Sequence, residues 1–224
     1  MAVPVSGPRV LAVGADMKNA FAVTRGNAVF MSQHIGDLEE LSALEFHALA
    51  TEDLLRLLGV KPERVAHDLH PGYHSTRAAL ERWGGLCFGV QHHHAHIAAC
   101  MAENGCEKKV IGVALDGTGY GPDKTVWGGE IMVADFLGYE RVGHFKQYLL
   151  PGGDAAIMHP ARMAASCLIA ECGADDAVLR RALPQLDENE CATLRLVVNR
   201  GFNAPWTSSA GRLFDAVAAL CGDD

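Results

Sequence analysis

The sequence contains no block of lysine and arginine and no long uninterrupted apolar run. Its net charge of −8 disfavours non-specific binding to nucleic acid or to an anionic membrane surface. No stretch reaches the roughly 18 uncharged apolar residues that a membrane-spanning helix needs. Residues 1–18 carry no basic segment ahead of their apolar run, so they do not resemble a signal peptide. We therefore expect a cytoplasmic protein that binds neither membranes nor nucleic acid.

The cysteines lack the spacing of a zinc ribbon. There are seven of them, an odd number, and no two form a C-x-x-C pair. Most lie within apolar periodic segments, which predicts buried thiols in a reducing compartment.

The first half of the sequence alternates strand and helix signals. Residues 9–17, "RVLAVGADM", form an apolar run with a polar end, as expected for a buried strand. Two more strands follow, and then a long helix with Asp37 as its N-cap and Gly59 as its end. Two short strands, "RVAHDLH" and "LCFGVQHH", then alternate with two helices. The order β-β-β-α-β-α-β-α is typical of the ribonuclease H-like fold, with three antiparallel strands and then two parallel ones.

The second half repeats the start of the first. Residues 110–117, "VIGVALDG", form another apolar strand that ends in an aspartate, and "TVWGGEIMVAD" and "RVGHFKQYLLP" supply one strand each. Helices follow, the first of them predicted over the whole of "AAIMHPARMAASCLIAEC". No two closing parallel strands are found before residue 224. We therefore predict two ribonuclease H-like lobes, residues 1–108 and 109–224, the second incomplete. This is the α/β fold of the actin-like ATPase and sugar kinase (ASKHA) superfamily.

In that fold, nucleotide phosphates bind to the loop after the first strand of each lobe. The candidate loops are "GADMKNAFAVT" and "LDGTGYGPDKTVWGGE". Their glycines let backbone amides approach phosphate oxygens, and Lys18 adds a positive charge. Asp16 and Asp116 are suited to orient water or a bound cation. The alternative is that each Gly-Asp pair only forms a turn.

A histidine cluster lies between these two loops, in "VQHHHAHIAAC" at residues 90–100. If a helix begins near His92, then His92 and His96 lie four residues apart on one face, with about 5–6 Å between their Cβ atoms. Two imidazoles so placed can bind one Zn²⁺ or Fe²⁺. His93 and His94 then point elsewhere, toward the surroundings of the metal or toward a substrate. The alternative is a polar helix start that binds metal only incidentally.

Taken together, the motifs closely resemble the HypF family, the carbamoyltransferases of nickel–iron hydrogenase maturation. They run in the family's order from about Arg9 to Cys221. The matching segments are "GADMKNAFAVT", "SQHIGDLE", "AHDLHPGYHST", "VQHHHAHIAACMAENG", "ALDGTGYG", "VWGGE", "LPGGDAAIMHPARMA" and "SSAGRLFDAVAAL".

The resemblance implies roles for individual residues. It makes His92 and His96 the ligands of a divalent metal, Zn²⁺ or Fe²⁺. It implies that the nucleotide phosphates, of ATP, AMP or carbamoyl-adenylate, contact the two loops through Asp16, Lys18, Asn19, Gly117, Thr118 and Gly119. Asp116, His159 and Arg162 are the implied catalytic residues. The implied reaction transfers a carbamoyl group from carbamoyl-adenylate to the C-terminal cysteine of HypE, toward the cyanide ligand of the hydrogenase iron.

The sequence departs from the family pattern in two ways. It lacks the acylphosphatase, zinc-finger and YrdC-like domains, so we expect the YrdC-like domain that supplies carbamoyl-adenylate to lie elsewhere. It also lacks the glycine-rich adenosine loop and the late aspartate ligand, so we expect a fragment of the transferase domain. Two alternatives remain open: a nucleotide- or partner-binding module without turnover, and an O-carbamoyltransferase, ATPase or sugar kinase of the same fold.

Overall fold

A computed structural model of the chain describes residues 7–223. Residues 1–6 and 224, which begin the first predicted lobe and end the second, lie outside the described residues. The chain divides into two compact units. The first runs to Lys109 and also contains Asp135–Gly138, and the second comprises Val110–Ala134 and the residues from Tyr139 onward. No helix within residues 7–223 combines the length and the apolar character needed to cross a bilayer.

The first unit is built on a five-stranded mixed sheet. Its strands are β1 (Val10–Ala12), β2 (Ala22–Arg25), β3 (Ala28–Met31), β4 (Arg64–Asp68) and β5 (Cys87–Val90). They lie in the order β3-β2-β1-β4-β5. The pairs β1–β2 and β2–β3 are antiparallel, and β1–β4 and β4–β5 are parallel. The predicted order of strands and helices in this half is therefore confirmed.

Helices α1 (Leu41–Leu58) and α2 (His74–Trp83) connect strands of this sheet, and α3 (His92–Glu103) follows its last strand. As predicted, α1 ends at Gly59, which adopts the left-handed conformation (φ 60°) that glycine accepts without a Cβ clash. The predicted N-cap at Asp37 is wrong. Its carboxylate accepts a hydrogen bond from the amide of Glu39 (3.1 Å), and the resulting turn delays the start of the helix.

The core of the first unit lies between the sheet and its helices. Its buried members are apolar residues of the strands, of the segments next to them and of helix α2: Leu11, Val13, Phe21, Val23, Val60, Val65 and Ala79. Burying one such side chain contributes about 1.5–3 kcal/mol to folding. This packing fixes the positions of the strand ends that carry the candidate site.

The second unit also contains a five-stranded sheet. Its strands are β6 (Val110–Tyr120), β7 (Val126–Asp135), β8 (Gly138–His144), β9 (Tyr148–Leu149) and β10 (Trp206–Thr207). Four lie in the order β6-β7-β10-β9, and β8 also pairs with β7. The single strand predicted over "RVGHFKQYLLP" is wrong, because residues 145–147 leave the ladder between β8 and β9. Strand β10 was not predicted, and it is only two residues long.

Strand β6 forms one edge of this sheet, and within residues 7–223 no further strand pairs with it there. Alternate residues of a strand point to the same face. On one face of β6, Ile111, Val113 and Leu115 are 75%, 60% and 59% exposed. The two closing parallel strands that the sequence analysis did not find are thus not seen in the described part of the second sheet either.

Five helices complete the second unit: α4 (Asp154–Met158), α5 (Pro160–Cys172), α6 (Asp176–Ala182), α7 (Glu188–Arg200) and α8 (Ala210–Leu220). The single helix predicted across α4 and α5 is wrong. Pro160 lacks the amide hydrogen needed inside a helix and disfavours helical geometry at the preceding residue. His159 accordingly has φ −132° and ψ 86°, and the chain changes direction there.

The prediction of buried cysteines is largely wrong. All seven thiols are free, and only Cys191 is fully buried. Cys100, Cys172 and Cys221 are exposed, because they lie on the outer faces or at the ends of their helices.

Candidate metal and phosphate site

The candidate site of the first unit lies where its parallel strands end. The carboxyl ends of β1, β4 and β5 meet at one edge of the sheet, and ligands of open α/β sheets bind at such edges. A pocket of about 290 Å³ lies there. Its lining includes Gly14 after β1, Asp68 at the end of β4, and His92 and His96 of α3. The fold therefore brings the predicted metal ligands to the edge where the first candidate loop begins.

His92 and His96 are arranged as two histidine ligands of one metal ion would be. Their Nε2 atoms lie 3.2 Å apart and their rings are inclined by 78°. Two nitrogens that bind one zinc ion at about 2.0–2.1 Å and a near-tetrahedral angle are roughly 3.4 Å apart. Gln91 starts the helix, since its side chain accepts a hydrogen bond from the amide of His94 (2.9 Å). That start places the two histidines one turn apart on the same face.

A buried carboxylate contacts Nδ1 of His92, the ring nitrogen that does not face His96. Oδ2 of Asp68 lies 2.7 Å from Nδ1 of His92, and Oδ1 of Asp68 accepts a hydrogen bond from the amide of His70 (2.8 Å). Asp68 is 9% exposed. The sequence analysis did not single out this residue. The available signal was its position at the end of β4, beside the strand that leads into the histidine cluster.

The other two histidines of the cluster have different surroundings. His93 is completely buried, and its Nδ1 lies 3.1 Å from Nε2 of Gln91. Complete burial disfavours a substrate contact for His93, and its other predicted place, in the surroundings of the metal, stays a prediction. Nε2 of His94 lies 2.7 Å from the carbonyl oxygen of Asp135.

Asp16, predicted to contact phosphate, holds the start of α2. Its side chain accepts hydrogen bonds from the backbone amides of His74 (2.7 Å) and Ser75 (3.0 Å) and from the Ser75 hydroxyl (2.9 Å), and it lies 3.0 Å from Nδ1 of His74. Burial alone would raise the pKa of Asp16, but these hydrogen bonds outweigh it and leave the pKa below its ordinary value. Both carboxylate oxygens are thus engaged within the first unit.

Asn19 shapes the loop after β1. Its side-chain amide donates to the carbonyl oxygens of Val13 (3.0 Å) and Ala15 (2.5 Å). Gly14 has a φ of 76°, and a Cβ there would clash with the carbonyl oxygen of Ala20. Lys18 is exposed and also has a positive φ of 49°. The loop therefore presents Lys18 to solvent on a tightly folded backbone.

The second candidate loop lies within a strand. We predicted that the strand ends at Gly117, but β6 continues to Tyr120, with a register shift between Leu115 and Gly119. The residues between them, Asp116, Gly117 and Thr118, form what we call the β6 bulge. A bulge leaves residues unpaired with the neighbouring strand and bends the chain locally. The side chain of Asp116 accepts a hydrogen bond from the amide of Gly117 (2.6 Å).

Helix α8 begins against the β6 bulge. Oγ of Ser209, the N-cap residue, lies 2.7 Å from the carbonyl oxygen of Gly117 and 3.0 Å from that of Asp116. A Cβ on Gly211 would lie 2.7 Å from Cα of Gly117. No role was predicted for Ser209, although it lies in the matched segment "SSAGRLFDAVAAL".

A buried ionic network lies next to this contact. Glu130 is completely buried and accepts hydrogen bonds from Arg141 Nε (2.6 Å) and from the Ser208 hydroxyl (2.5 Å). Burial works to raise the pKa of Glu130, but the hydrogen bonds from Arg141 and Ser208 outweigh it and lower the pKa. Ser208, which donates to this buried carboxylate, directly precedes the N-cap residue Ser209.

The last two predicted residues lie at the start of α5. His159 is exposed and is the residue that precedes Pro160. Nη1 of Arg162 would lie 3.2 Å from a Cβ on Gly152, so the guanidinium rests against the turn before α4. Both residues are thus on a different element from Asp116, in the same unit.

Two family models match the chain. Residues 6–103 match the "HypF Kae1-like domain", and residues 112–223 match "Carbamoyltransferase, Kae1-like Domain, second subdomain". Carbamoyltransferase HypF2 of Cupriavidus necator is 46% identical over 220 residues, which are 97% of this chain and 27% of that protein. Carbamoyltransferase HypF of Rhizobium leguminosarum bv. viciae is 43% identical over 96% of this chain and 28% of its own length.

A solved structure agrees with these relatives. A crystal structure of full-length HypF "in the phosphate- and nucleotide-bound form" has a TM-score of 0.89 and 42% identity, and covers 99% of this chain and 28% of that one. The chain thus spans less than a third of the relatives described here. Because one family model alone matches half of the chain and the two together match nearly all of it, the chain belongs to the HypF family, in the region of its Kae1-like domain.

Proposed function

We propose that the chain is the transferase part of a HypF-type carbamoyltransferase. It transfers a carbamoyl group from carbamoyl-adenylate to the C-terminal cysteine of HypE, in the pathway to the cyanide ligand of nickel–iron hydrogenase. The observation that carries the proposal is the pair of Nε2 atoms of His92 and His96, 3.2 Å apart at the carboxyl ends of parallel strands. Family membership supports the reaction class.

The proposed fold is a pair of ribonuclease H-like lobes of the ASKHA superfamily, residues 1–108 and 109–224. The sheet order β3-β2-β1-β4-β5 supports this for the first lobe. For the second, support comes from β6, which is antiparallel to β7 as β1 is to β2.

The proposed metal is Zn²⁺ or Fe²⁺, bound by Nε2 of His92 and of His96. Imidazole nitrogen suits both ions, and the spacing of the two nitrogens fits ligands of one ion. When bound, the metal supplies a Lewis acid that polarises the carbamoyl carbonyl or the phosphate.

In the proposed reaction, the thiol sulfur of HypE bonds to the carbamoyl carbon, the bond from that carbon to a phosphate oxygen breaks, and AMP leaves. We assign the exposed imidazole of His159 to accept the thiol proton, because histidine is the side chain that most often serves as a general base. We assign Arg162 to the departing phosphate, which guanidinium groups bind well. Asp116 is assigned to orient the reacting group.

We assign the proposed phosphate contacts to each candidate loop within its own unit. Lys18 is available as a positive charge, with Asp16 and Asn19 shaping the loop around it. Gly117, Thr118 and Gly119 offer backbone at and beside the β6 bulge. The nucleotide-bound form of the solved HypF supports this proposal. Carbamoyl-adenylate would be supplied by a YrdC-like domain, and we propose that the protein works in the cytoplasm.

The test is the metal content of untagged protein purified without oxygen, measured by elemental analysis. We expect near-stoichiometric zinc or iron in the wild type and its loss in a His92→Ala/His96→Ala variant. His94→Ala is the matched control, because it removes a neighbouring imidazole that contacts the Asp135 carbonyl. Equal metal content in the wild type and the double variant would contradict the proposed site.

A second candidate function, nucleotide or partner binding without turnover, is favoured by the exposed apolar face of β6, where Ile111, Val113 and Leu115 are 75%, 60% and 59% exposed. Adding carbamoyl-adenylate and a peptide with a C-terminal cysteine separates the two. Carbamoylated peptide supports the transferase, and saturable nucleotide binding without carbamoylated peptide supports the binding module.

A further inference from the structure

We infer that Asp68 positions His92 for metal binding by fixing which ring nitrogen carries the proton. The inference rests on the metal site of the proposed function and assigns a residue to it that does not itself bind the ion. It is carried by the contact between the buried carboxylate of Asp68 and Nδ1 of His92 (2.7 Å).

The chemistry of imidazole connects this contact to the metal. A neutral histidine has one protonated ring nitrogen and one that can donate a lone pair. A carboxylate next to Nδ1 favours the proton there, which leaves Nε2 of His92 as the lone-pair donor. This is the nitrogen that lies 3.2 Å from Nε2 of His96. The carboxylate therefore presents His92 to the metal in the required tautomer.

Asp68 is itself held rigidly. Its Oδ1 accepts a hydrogen bond from the amide of His70 (2.8 Å), and its carbonyl oxygen accepts one from the Thr76 hydroxyl (3.1 Å). Asp68 is the last residue of β4 and pairs with Val90, the last residue of β5. His92 begins α3 two residues after Val90. The strand register thus fixes the carboxylate and the imidazole relative to each other.

A second buried carboxylate in the same unit has a different task. The side chains of Asp16 and Asp68 are each 6% exposed, and each contacts a histidine Nδ1. Asp16, however, also accepts the backbone amides at the start of α2, and its histidine partner is His74. Because Asp16 also belongs to the proposed phosphate loop, the control is His47→Ala, which removes a buried side chain of the first unit whose Nε2 lies 3.1 Å from the carbonyl oxygen of Val13.

The experiment is a zinc titration of the full chain by isothermal calorimetry, with urea unfolding to establish that each variant is folded. We compare Asp68→Ala, Asp68→Asn, His47→Ala and the His92→Ala/His96→Ala variant with the wild type. We expect Asp68→Ala to bind zinc about 10–100-fold more weakly, the usual effect of removing such a supporting carboxylate. We expect a smaller loss for the isosteric Asp68→Asn, because its amide oxygen still accepts the Nδ1 proton.

The outcomes distinguish a failure of the inference about Asp68 from a failure of the proposed metal site. If the wild type and the double histidine variant bind zinc equally, the proposed site itself fails. If the double variant loses zinc but Asp68→Ala and Asp68→Asn bind as tightly as the wild type, the site stands and the inference is overturned. The inference is also overturned if His47→Ala weakens zinc binding as much as Asp68→Ala does, because general loosening of the first unit then explains both. Should Asp68→Ala not fold, Asp68→Asn decides.

Discussion

Nε of Arg141 donates a 2.6 Å hydrogen bond to Oε2 of Glu130, a carboxylate with no solvent exposure. The guanidinium also lies 4.1 Å from the centre of the Trp127 ring. Replacing Arg141 with methionine keeps much of the packing volume but leaves Glu130 buried without its cation. We expect a loss of about 3–5 kcal/mol in the free energy of unfolding, measured by urea denaturation.

The exposed pair Arg9–Glu63 provides the control. Its ions are 2.7 Å apart, but both side chains are 46% exposed. Water already solvates these charges, so Arg9→Met should cost less than about 1 kcal/mol. If the two arginine variants lose equal stability, the burial of Glu130 is not what makes its ion pair important.

The low pKa of Asp16 predicts a pH dependence of stability. Burial raises this pKa, but hydrogen bonds from Ser75 and His74 outweigh burial and bring it below the ordinary 3.8. The folded state therefore favours the carboxylate form, and its contribution is fully present above pH 3.8. The contribution is lost as the pH falls from there through the lower pKa of the folded state.

Asp16→Asn tests this dependence. At pH 7 the variant should be less stable by about 1–3 kcal/mol, since an amide cannot accept all the hydrogen bonds of the carboxylate. The difference from wild type should shrink as the pH falls below 3.8. Urea unfolding at a series of pH values measures it, and a difference that does not change with pH would contradict the assigned role.

Local sequence patterns predict most of the helices and strands. The features that they do not predict depend on contacts between residues that are distant in sequence. The spacing of His92 and His96 follows from the helix repeat, so a short segment is enough to predict that pair. Asp68 lies 24 residues before His92 in sequence, and the two meet only because β4 and β5 are parallel in one register. Such a contact depends on the sheet order and has no local signal.

In the second unit, too, some features depend on strand pairing that local sequence patterns do not predict. Strand β10 is two residues long and exists because Trp206 and Thr207 pair with β9 and Thr207 also pairs with β7. The β6 bulge likewise depends on its partner strand β7. By contrast, the break at Pro160 is predictable from the proline itself, because a proline interrupts a helix even where the apolar periodicity continues on both sides of it.

Thiol accessibility gives a third prediction. Cys100, Cys172 and Cys221 are exposed, whereas burial raises the pKa of Cys167 to about 11, with a further contribution from the charge of Glu171. Because the thiolate is the reactive form, Cys167 should be alkylated much more slowly than the exposed thiols at pH 8. Mass spectrometry of peptides after brief iodoacetamide treatment measures this. Equal labelling of Cys167 and Cys100 in the folded protein would contradict it, and equal labelling in urea is the expected control.

The contact between α8 and the β6 bulge leaves no room for a side chain at Gly211. A Cβ there would lie 2.7 Å from Cα of Gly117, a backbone atom that cannot rotate away. Glycine to alanine inside a helix ordinarily stabilises it by up to about 1 kcal/mol. For Gly211→Ala we expect the opposite sign, a loss of about 1–3 kcal/mol in the free energy of unfolding, because the bulge must shift.

Gly138→Ala is the matched control, since a Cβ at Gly138 would meet nothing within 4 Å and its φ is not in the left-handed region. It should change the unfolding free energy by less than about 0.5 kcal/mol. If Gly211→Ala is instead as stable as the wild type, the bulge yields easily and is a poor candidate for a fixed phosphate contact. If it is destabilised while Gly138→Ala is not, the close packing of α8 on Gly117 holds the bulge in a single conformation, as a preformed phosphate site requires.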